Sequence, residues 1–418
     1  MKQIEGGITA PKGFLAAGVE AGIKYENRKD MAMIYSEAPC VVAGTFTSNK
    51  VKAAPVKWDM ELVEKSPFVQ AVIVNTGIAN AGTGEEGMQI CRESAKEAGR
   101  LLNLPETAVL VGSTGVIGAQ LPMDKIKAGI AKLAEKKAAG KEAGTDASIA
   151  IMTTDTVNKE IAVTVEIAGV TVTIGGMSKG SGMIHPNMCT MLGYVTTDAV
   201  IDKETLTGLV KNDVLSTYNM ISVDGDTSTN DTLLVMANGL AGNAPIKQGT
   251  PEYEAFKEAL HFVNETQAKR LAADGEGAMA LIETTVFHAK DIETARTLAK
   301  SVISSSLTKA AIFGHDSNWG RILCALGYAG VDFDPDHCAI YYGNEAGKGA
   351  ALQGDFSAGM LIYEDGIGSA YSEEEATKLL SEETVYIWVD IKSGKETATA
   401  WGCDLTYDYV KINADYRS

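Results

Sequence analysis

The stretch "IAVTVEIAGVTVTIGGM" (residues 161–177) alternates apolar and polar side chains on both sides of Ala168-Gly169. Val163, Val165 and Ile167 share one face of the first half, and Val170, Val172 and Ile174 share one face of the second. Period two marks an extended chain, whose successive side chains point to opposite faces of a sheet. Two such runs separated by a glycine-containing break predict an antiparallel hairpin. Working outward, "ALIETTVFHA" (280–289) and "TVYIWVDIKSG" (384–394) read in the same way. The runs "FVQAVIVNTG" (68–77) and "TAVLVGSTG" (107–115) are continuously apolar and end in glycine, as buried strands feeding tight loops do. Between the strands the period changes to that of a helix. "EEGMQICRESAKEAGRLLNLP" (85–105) places Met88, Cys91, Ala95, Ala98 and Leu102 on one face and stops at Pro105. "MDKIKAGIAKLAEKKAAG" (123–140) does the same with Ile126, Ile130 and Leu133, and residues 252–275 and 291–307 give two more amphipathic helices. The reading is mixed α/β, with antiparallel strand pairs in sheets covered by helices. Residues 132–147, rich in Ala, Lys and Gly, read as the most flexible part of the chain.

The chain has 418 residues, 45% of them apolar and 6% aromatic, enough for one large or two ordinary domains with real cores. A formal charge of −17 repels nucleic acid and anionic membranes, so neither is expected as a partner. Six scattered cysteines without a C-x-x-C pair and five dispersed histidines suggest neither a zinc site nor a disulfide framework. The start, MKQIEGGITAPKG, has no apolar core of a signal peptide, and no run of about 18 apolar residues occurs, so a cytoplasmic location without a membrane span is expected.

Several familiar catalytic motifs are missing. "GNEAGKGA" from Gly343 is one residue short of phosphate-loop spacing and has no Ser or Thr after its lysine. There is no G-x-S-x-G and no H-E-x-x-H. What remains is a series of polar, glycine-punctuated loops: 111–118, 152–156, 179–199, 222–232, 272–278, 314–321 and the tail from Trp401. Each alone is an ordinary turn composition. In "KGSGMIHPNMCTML" (179–192), however, Thr190 lies between a glycine-rich turn and an apolar run. One reading is a threonine in a core strand. The other is a nucleophile. A threonine hydroxyl needs an adjacent base, and its own α-amine, titrating near pH ~8, serves once the preceding peptide bond is cut. Backbone amides at Thr114-Gly115 are candidate oxyanion donors for that cut. Lys179 reads equally as a turn residue or as a partner for a carboxylate.

The motifs "GGITAPKGFLAAGV" (6–19), "AGTFTSNKVKAAPV" (43–56), "GSTGVIG" (112–118), "IMTTDT" (151–156), "KGSGMIHPNMCTML" (179–192), "VDGDTSTNDT" (223–232) and "NWGRILCALG" (318–327) resemble, in order and over essentially the whole chain, the ornithine acetyltransferase (glutamate N-acetyltransferase) family of arginine biosynthesis. The resemblance implies a layered α/β sandwich similar to that of the self-processing L-aminopeptidase/D-esterase proteins. It implies self-cleavage between Cys189 and Thr190, giving an α chain, 1–189, and a β chain, 190–418, intertwined in one fold and paired into an α2β2 heterotetramer. It implies acetyl transfer from N2-acetyl-L-ornithine to L-glutamate through an acetyl-Thr190 intermediate. Thr114 and Gly115 match the oxyanion pair, and Thr153, Lys179, Thr190, Glu276, Asn413 and Ser418 match substrate contacts. No cofactor or metal is implied; acetyl-CoA is a further donor for some members. The rival readings are a self-processing hydrolase with the same threonine and water as acceptor, and an amino-acid-binding protein that never cuts itself. Departures from the family pattern are Cys189 for a commoner alanine, Ile78 for asparagine, Gly82 for cysteine, Ser317 for proline and Ser418 for threonine.

Overall fold

The computed structural model describes residues 1–185 and 191–415. Its strands, in chain order, are β1 (Lys2–Ile4), β2 (Phe14–Val19), β3 (Met31–Phe46), β4 (Val69–Asn75), β5 (Val109–Ser113), β6 (Lys159–Ile167), β7 (Val170–Lys179) and β8 (Leu192–Thr197). They continue with β9 (Ile221–Ser222), β10 (Thr232–Ala237), β11 (Leu281–Ala289), β12 (Ala339–Tyr342), β13 (Met360–Glu364), β14 (Ile367–Gly368), β15 (Thr384–Asp390) and β16 (Glu396–Cys403). One sheet runs β1-β6-β7-β8-β10-β3-β4-β5, with β2 also on β3; the other runs β14-β13-β12-β15-β11-β16-β9. The chain is mixed α/β with two sheets, as its sequence pattern predicts. Contacts divide it into two compact units. The first, Met1–Asn219 with Asp226–Gln267, holds the first sheet, and the second, Met220–Gly225 with Ala268–Ser418, holds the other. The first unit draws on residues from both sides of position 189.

The hairpin at 161–177 is β6 and β7, paired antiparallel with Ile167 opposite Val170. Its two-residue turn needs positive φ at both positions, and Ala168 (φ 50°) and Gly169 (φ 81°) provide it. β8 returns antiparallel to β7, Leu192 opposite Lys179, and then runs parallel to β10, Thr232 opposite Leu192. Not every pair is antiparallel. β4 and β5 are parallel, and parallel neighbours need a long crossover. The helix Gly84–Leu102 lies within that connection and buries Ile90, Cys91, Ala95, Ala98 and Leu102, while Met88 is only half-buried. It ends where Asn103 turns left-handed (φ 57°) and the Leu104 N–H donates back to the Gly99 carbonyl at 2.8 Å.

All residues of β4 and β5 are buried, which is why neither alternates. Val72, Val109 and Leu110 are fully enclosed, each contributing about 1.5–3 kcal/mol of burial. The Trp58 indole N–H donates to the Val109 carbonyl at 3.0 Å, and Asp59 accepts the Val111 N–H at 2.8 Å. The helix Ala54–Lys65 thereby satisfies the free edge of β5, whose other edge pairs with β4.

Residues 132–147 are not a flexible stretch. One helix runs to Lys136 and another spans Lys141–Ala150. Gly and Ala there let the second helix close on β2: a side chain at Gly18 would overlap the Asp146 carbonyl. Smallness at a tight helix–sheet contact has the same composition as a linker.

Candidate active site

The chain leaves β5 at Ser113 and turns at once. Thr114 and Val116 both bridge to Ile78, the Thr114 N–H donates to the Asn75 carbonyl at 3.1 Å, and the Val116 N–H donates to the Gly77 carbonyl at 3.1 Å. Gly115 has φ 131°, and a Cβ there would overlap the Gly77 carbonyl group and stand 2.6 Å from the Ile78 nitrogen, so only glycine fits. The Thr114 amide is engaged with Asn75, whereas the Gly115 N–H has no partner among the described residues. The Thr114 hydroxyl has a partner of its own. Lys179 Nζ lies 3.3 Å from Thr114 Oγ1. An ammonium can only donate, so the hydroxyl oxygen accepts from it and keeps its own proton to give elsewhere. Ile78, one of the departures from the family pattern, serves the turn through its backbone; its carbonyl accepts from the Asn75 side-chain amide at 2.9 Å.

Lys179 is the last residue of β7 and is buried. Beside it is the loop 152–156. Asp155 accepts the Thr153 N–H at 2.9 Å, the Gly180 N–H at 2.6 Å and the Lys159 ammonium at 2.8 Å. Burial raises its carboxyl, but the charges of Lys179 and Lys159 and these hydrogen bonds outweigh that and hold it at about 2. Arg28 clamps the loop from outside, donating to the carbonyls of Met152 at 2.5 Å and Thr153 at 2.8 Å. Thr154 and Ser181 join their hydroxyls at 2.7 Å. Thr114, Lys179 and Thr153 thus belong to one continuous network in the first unit.

The loop 227–230 ties this network together. Asn230 donates to the carbonyls of Ala79 at 2.6 Å and Ser113 at 2.7 Å. The Thr227 hydroxyl donates to the His185 carbonyl at 3.0 Å, and the Thr232 N–H donates to the Met191 carbonyl at 2.9 Å. Residues 227–232 therefore hold the turn after β5 and both described ends of the segment around position 190. Cys189 and Thr190 themselves, like Ser418, lie outside the described residues.

Glu276 and Asn413 meet in the second unit. Asn413 Nδ2 donates to Glu276 Oε2 at 2.7 Å and to the Tyr409 carbonyl at 3.1 Å. Glu276 is buried on a turn bound to the start of the last helix, Tyr407–Ala414. The Thr406 hydroxyl donates to the Gly277 carbonyl at 2.7 Å, and a Cβ at Gly277 would come within 2.8 Å of the Tyr409 nitrogen. Asp404 accepts the Met279 N–H at 2.9 Å and the Ala280 N–H at 3.2 Å. The turn at 276–280 and the last helix are one hydrogen-bonded assembly.

Sequence reasoning did not single out Asp155, Asn230 or Arg28. The first two sit in loops whose composition stood out, but nothing distinguishes a buried Asp from a turn Asp before the fold is known. Among the described residues no group of three or more His, Cys, Asp and Glu could hold a metal ion, and no helix is long and apolar enough to cross a membrane.

The chain matches the ArgJ family over residues 15–418. It is 50% identical over 418 residues, all of both chains, to the arginine biosynthesis bifunctional protein ArgJ of Caldanaerobacter subterraneus subsp. tengcongensis. It is similar to the crystal structure of that bifunctional protein from Bacillus halodurans (43% identity, TM-score 0.49, covering 54% of this chain and 99% of that one). It is also similar to the ornithine acetyltransferase of Mycobacterium tuberculosis in complex with ornithine (40% identity, TM-score 0.42, covering 46% and 98%).

Proposed function

The chain belongs to the ArgJ family of arginine-biosynthesis acyltransferases, and from that membership we propose that it carries an acetyl group from N2-acetyl-L-ornithine to L-glutamate on Thr190. The carrier is made by the chain itself. The Thr190 hydroxyl attacks the Cys189 carbonyl, the peptide nitrogen leaves as the α-amine, and water hydrolyses the ester that joins the two pieces. The freed amine is then the base that Thr190 needs.

In the first half-reaction Thr190 Oγ adds to the acetyl carbonyl while its proton passes to the α-amine. The C–N bond breaks, ornithine takes the proton and departs, and acetyl-Thr190 remains. In the second half-reaction the glutamate amine attacks the ester, and N-acetyl-L-glutamate leaves with the threonine restored. The charge that grows on the carbonyl oxygen in each addition meets the Thr114 hydroxyl and the Gly115 N–H. The observation that carries this reading is the 3.3 Å contact between Lys179 Nζ and Thr114 Oγ1, because it turns the hydroxyl proton outward from the turn. Lys179 and Thr153 hold the α-carboxylate and α-amino end of either substrate. Glu276, set by Asn413, takes the side-chain ammonium of ornithine, and Ser418 completes that end. One pocket serves both substrates because both are α-amino acids that differ in the tail.

The word "bifunctional" in the relatives' name supports acetyl-CoA as a second donor to the same threonine. The cut protein is proposed to work in the cytoplasm as an α2β2 heterotetramer, without cofactor.

Denaturing mass spectrometry and an exchange assay test the proposal together. The wild type runs as two chains that meet at 189/190 and forms N-acetylglutamate in step with loss of N-acetylornithine; Thr190→Ala stays whole and inactive. Release of ornithine at the same rate without glutamate would make the protein a hydrolase instead. An intact, active Thr190→Ala chain would remove the nucleophile altogether.

A further inference from the structure

A cluster of positive charge stands out on a chain whose net charge is −17. Lys50, Lys52 and Lys57 line one cavity of about 140 Å³ in the first unit, together with Gly82, Thr83 and Gly84. No acidic residue lines it, and among the described residues none of the three lysines pairs with a carboxylate. Lys57 stands in the first turn of the helix Ala54–Lys65, which has no acidic residue there and no side-chain cap; a cation is unfavourable at that end of a helix. Resting on the reading of acetyl-CoA as a second donor, we propose that this cavity is a phosphate subsite: the three ammonium groups hold a phosphoryl group of acetyl-CoA beside the turn that carries Thr114 and Gly115.

Asn49 shapes the lysine side of the cavity. Its Nδ2 donates to the Thr227 carbonyl at 2.9 Å, its Oδ1 accepts the Val51 N–H at 2.9 Å, and its own carbonyl accepts from Lys52 Nζ at 2.9 Å. One ammonium is thus fixed at the wall before a ligand arrives, which lowers the cost of ordering it. The same segment is joined to the loop 227–230: the Thr47 hydroxyl donates to the Ser228 carbonyl at 2.7 Å, and the Ala53 N–H donates to the Thr229 carbonyl at 2.9 Å. At the loop 82–84 a Cβ on Gly84 would meet nothing within 4 Å, so that side is open. This loop is bonded to the chain that leaves the Thr114-Gly115 turn. The Gly118 N–H donates to the Ala81 carbonyl at 2.9 Å, and Gln120 Nε2 donates to the Thr83 carbonyl at 3.1 Å. The cavity therefore touches both loops that frame the proposed site, the one after Gly115 and the one at 227–230.

Size and charge select the ligand. Cavities for whole small molecules run to about 300–1,000 Å³, so this one, at about 140 Å³, holds one group rather than all of acetyl-CoA. N-acetylornithine and glutamate have no phosphate for it to hold. Acetyl-CoA carries several negative charges, which the −17 of the chain repels. A local group of cations offsets that repulsion, and each lysine can give a charge-assisted hydrogen bond to a phosphate oxygen. Glu85 and Glu86, which follow Gly84, are exposed and do not line the cavity. The pantetheine arm is long and flexible, so a phosphate held beside the turn leaves the thioester able to reach it.

Isothermal titration of the purified protein with CoA, dephospho-CoA and inorganic phosphate tests the subsite without turnover. The three lysines are exposed or half-buried, so replacing them leaves the core alone. Wild type binds CoA, and K50Q/K52Q/K57Q binds it at least about tenfold more weakly, the loss expected for three partly exposed ionic contacts. K50R/K52R/K57R keeps the charge and recovers most of the affinity, and the gap between wild type and the glutamine variant narrows in high salt. In glutamate acetylation the glutamine variant raises the KM for acetyl-CoA by the same factor relative to the KM for N-acetylornithine. If dephospho-CoA binds wild type as weakly as CoA binds the glutamine variant, the lysines hold the 3′-phosphate; if both lose affinity alike in the variant, they hold the diphosphate. Equal CoA affinity in wild type and the glutamine variant, or no CoA binding by wild type, overturns the subsite. Lysine-dependent binding of inorganic phosphate that CoA does not displace also overturns it, because the cavity then takes free phosphate. A wild type that binds CoA through the lysines yet accepts no acetyl group from acetyl-CoA removes the donor reading and leaves the subsite standing.

Discussion

Replacing Thr114 with valine tests the site at one atom. Valine keeps the shape and the β-branch and removes only the hydroxyl. The backbone is untouched: the residue-114 N–H remains bonded to the Asn75 carbonyl, and the bridges through Ile78 remain available. Two things are lost. Lys179 Nζ loses the acceptor it has at 3.3 Å, which lowers stability by about 1 kcal/mol, a small part of the total. The growing oxyanion loses one of its two donors, worth about 100- to 1000-fold in kcat, or about 2.7–4 kcal/mol of transition-state stabilisation. The two effects differ enough to be separated. Thr114→Val should therefore melt near wild type and exchange acetyl groups at least about 100-fold more slowly with little change in KM, and its self-cleavage should slow as well. Thr114→Ser restores the hydroxyl and most of the rate. Kinetics are measured on preparations whose cut fraction has been counted by mass spectrometry, so that slow processing is not mistaken for slow turnover. A Thr114→Val enzyme within roughly threefold of wild type would refute the reasoning, because it would mean that the donor at this position is not the side chain.

Gly115→Ala forces a Cβ into the Gly77 carbonyl at a left-handed φ, so the turn must move; about 2–6 kcal/mol of strain and overpacking should appear as a lower melting temperature, together with a loss of rate that a second-site change cannot repair. Asn413→Ala releases Glu276 from its 2.7 Å hydrogen bond and should raise the KM for N-acetylornithine by about tenfold while leaving kcat within a few-fold; an unchanged KM would detach Glu276 from the ornithine side chain. Asp59 is completely buried and its carboxyl is pushed well above the usual range by that burial, against the pull of the Val111 N–H. The unfolded chain gives up this proton near pH 4 while the folded chain keeps it, so wild-type stability falls as pH rises from there by up to about 1.4 kcal/mol per unit. Asp59→Asn keeps the acceptor for Val111 and should flatten that slope in urea titrations between pH 4 and 7; parallel slopes would show that Asp59 is ionised in the fold.

Three aspartates mark how far the sequence can be read. The strands and helices were legible because periodicity reports which face is buried, and β6 and β7 were legible to the residue, since the Ala168-Gly169 turn allows one register. The turn at Thr114-Gly115 was legible as a glycine-rich end to an apolar run. Which donor Thr114 provides was not, because that depends on Asn75, 39 positions earlier, occupying its amide. Asp59, Asp155 and Asp231 show the same limit for charge. All three are buried aspartates, yet Asp155 is held at about 2 while the other two are driven up. The difference lies in the company that the fold supplies. Asp155 receives two backbone N–H groups and faces two lysines, one four residues on in its own loop and strand, the other at the end of the next strand. Asp59 receives one backbone N–H from β5 and lies inside an apolar core. A sequence names the side chain but not its counter-charge, and for Asp155 those charges are Lys159, at 2.8 Å, and Lys179. Of its hydrogen-bonded partners Thr153 and Lys159 are near in sequence, and only Gly180 is brought to it by the hairpin.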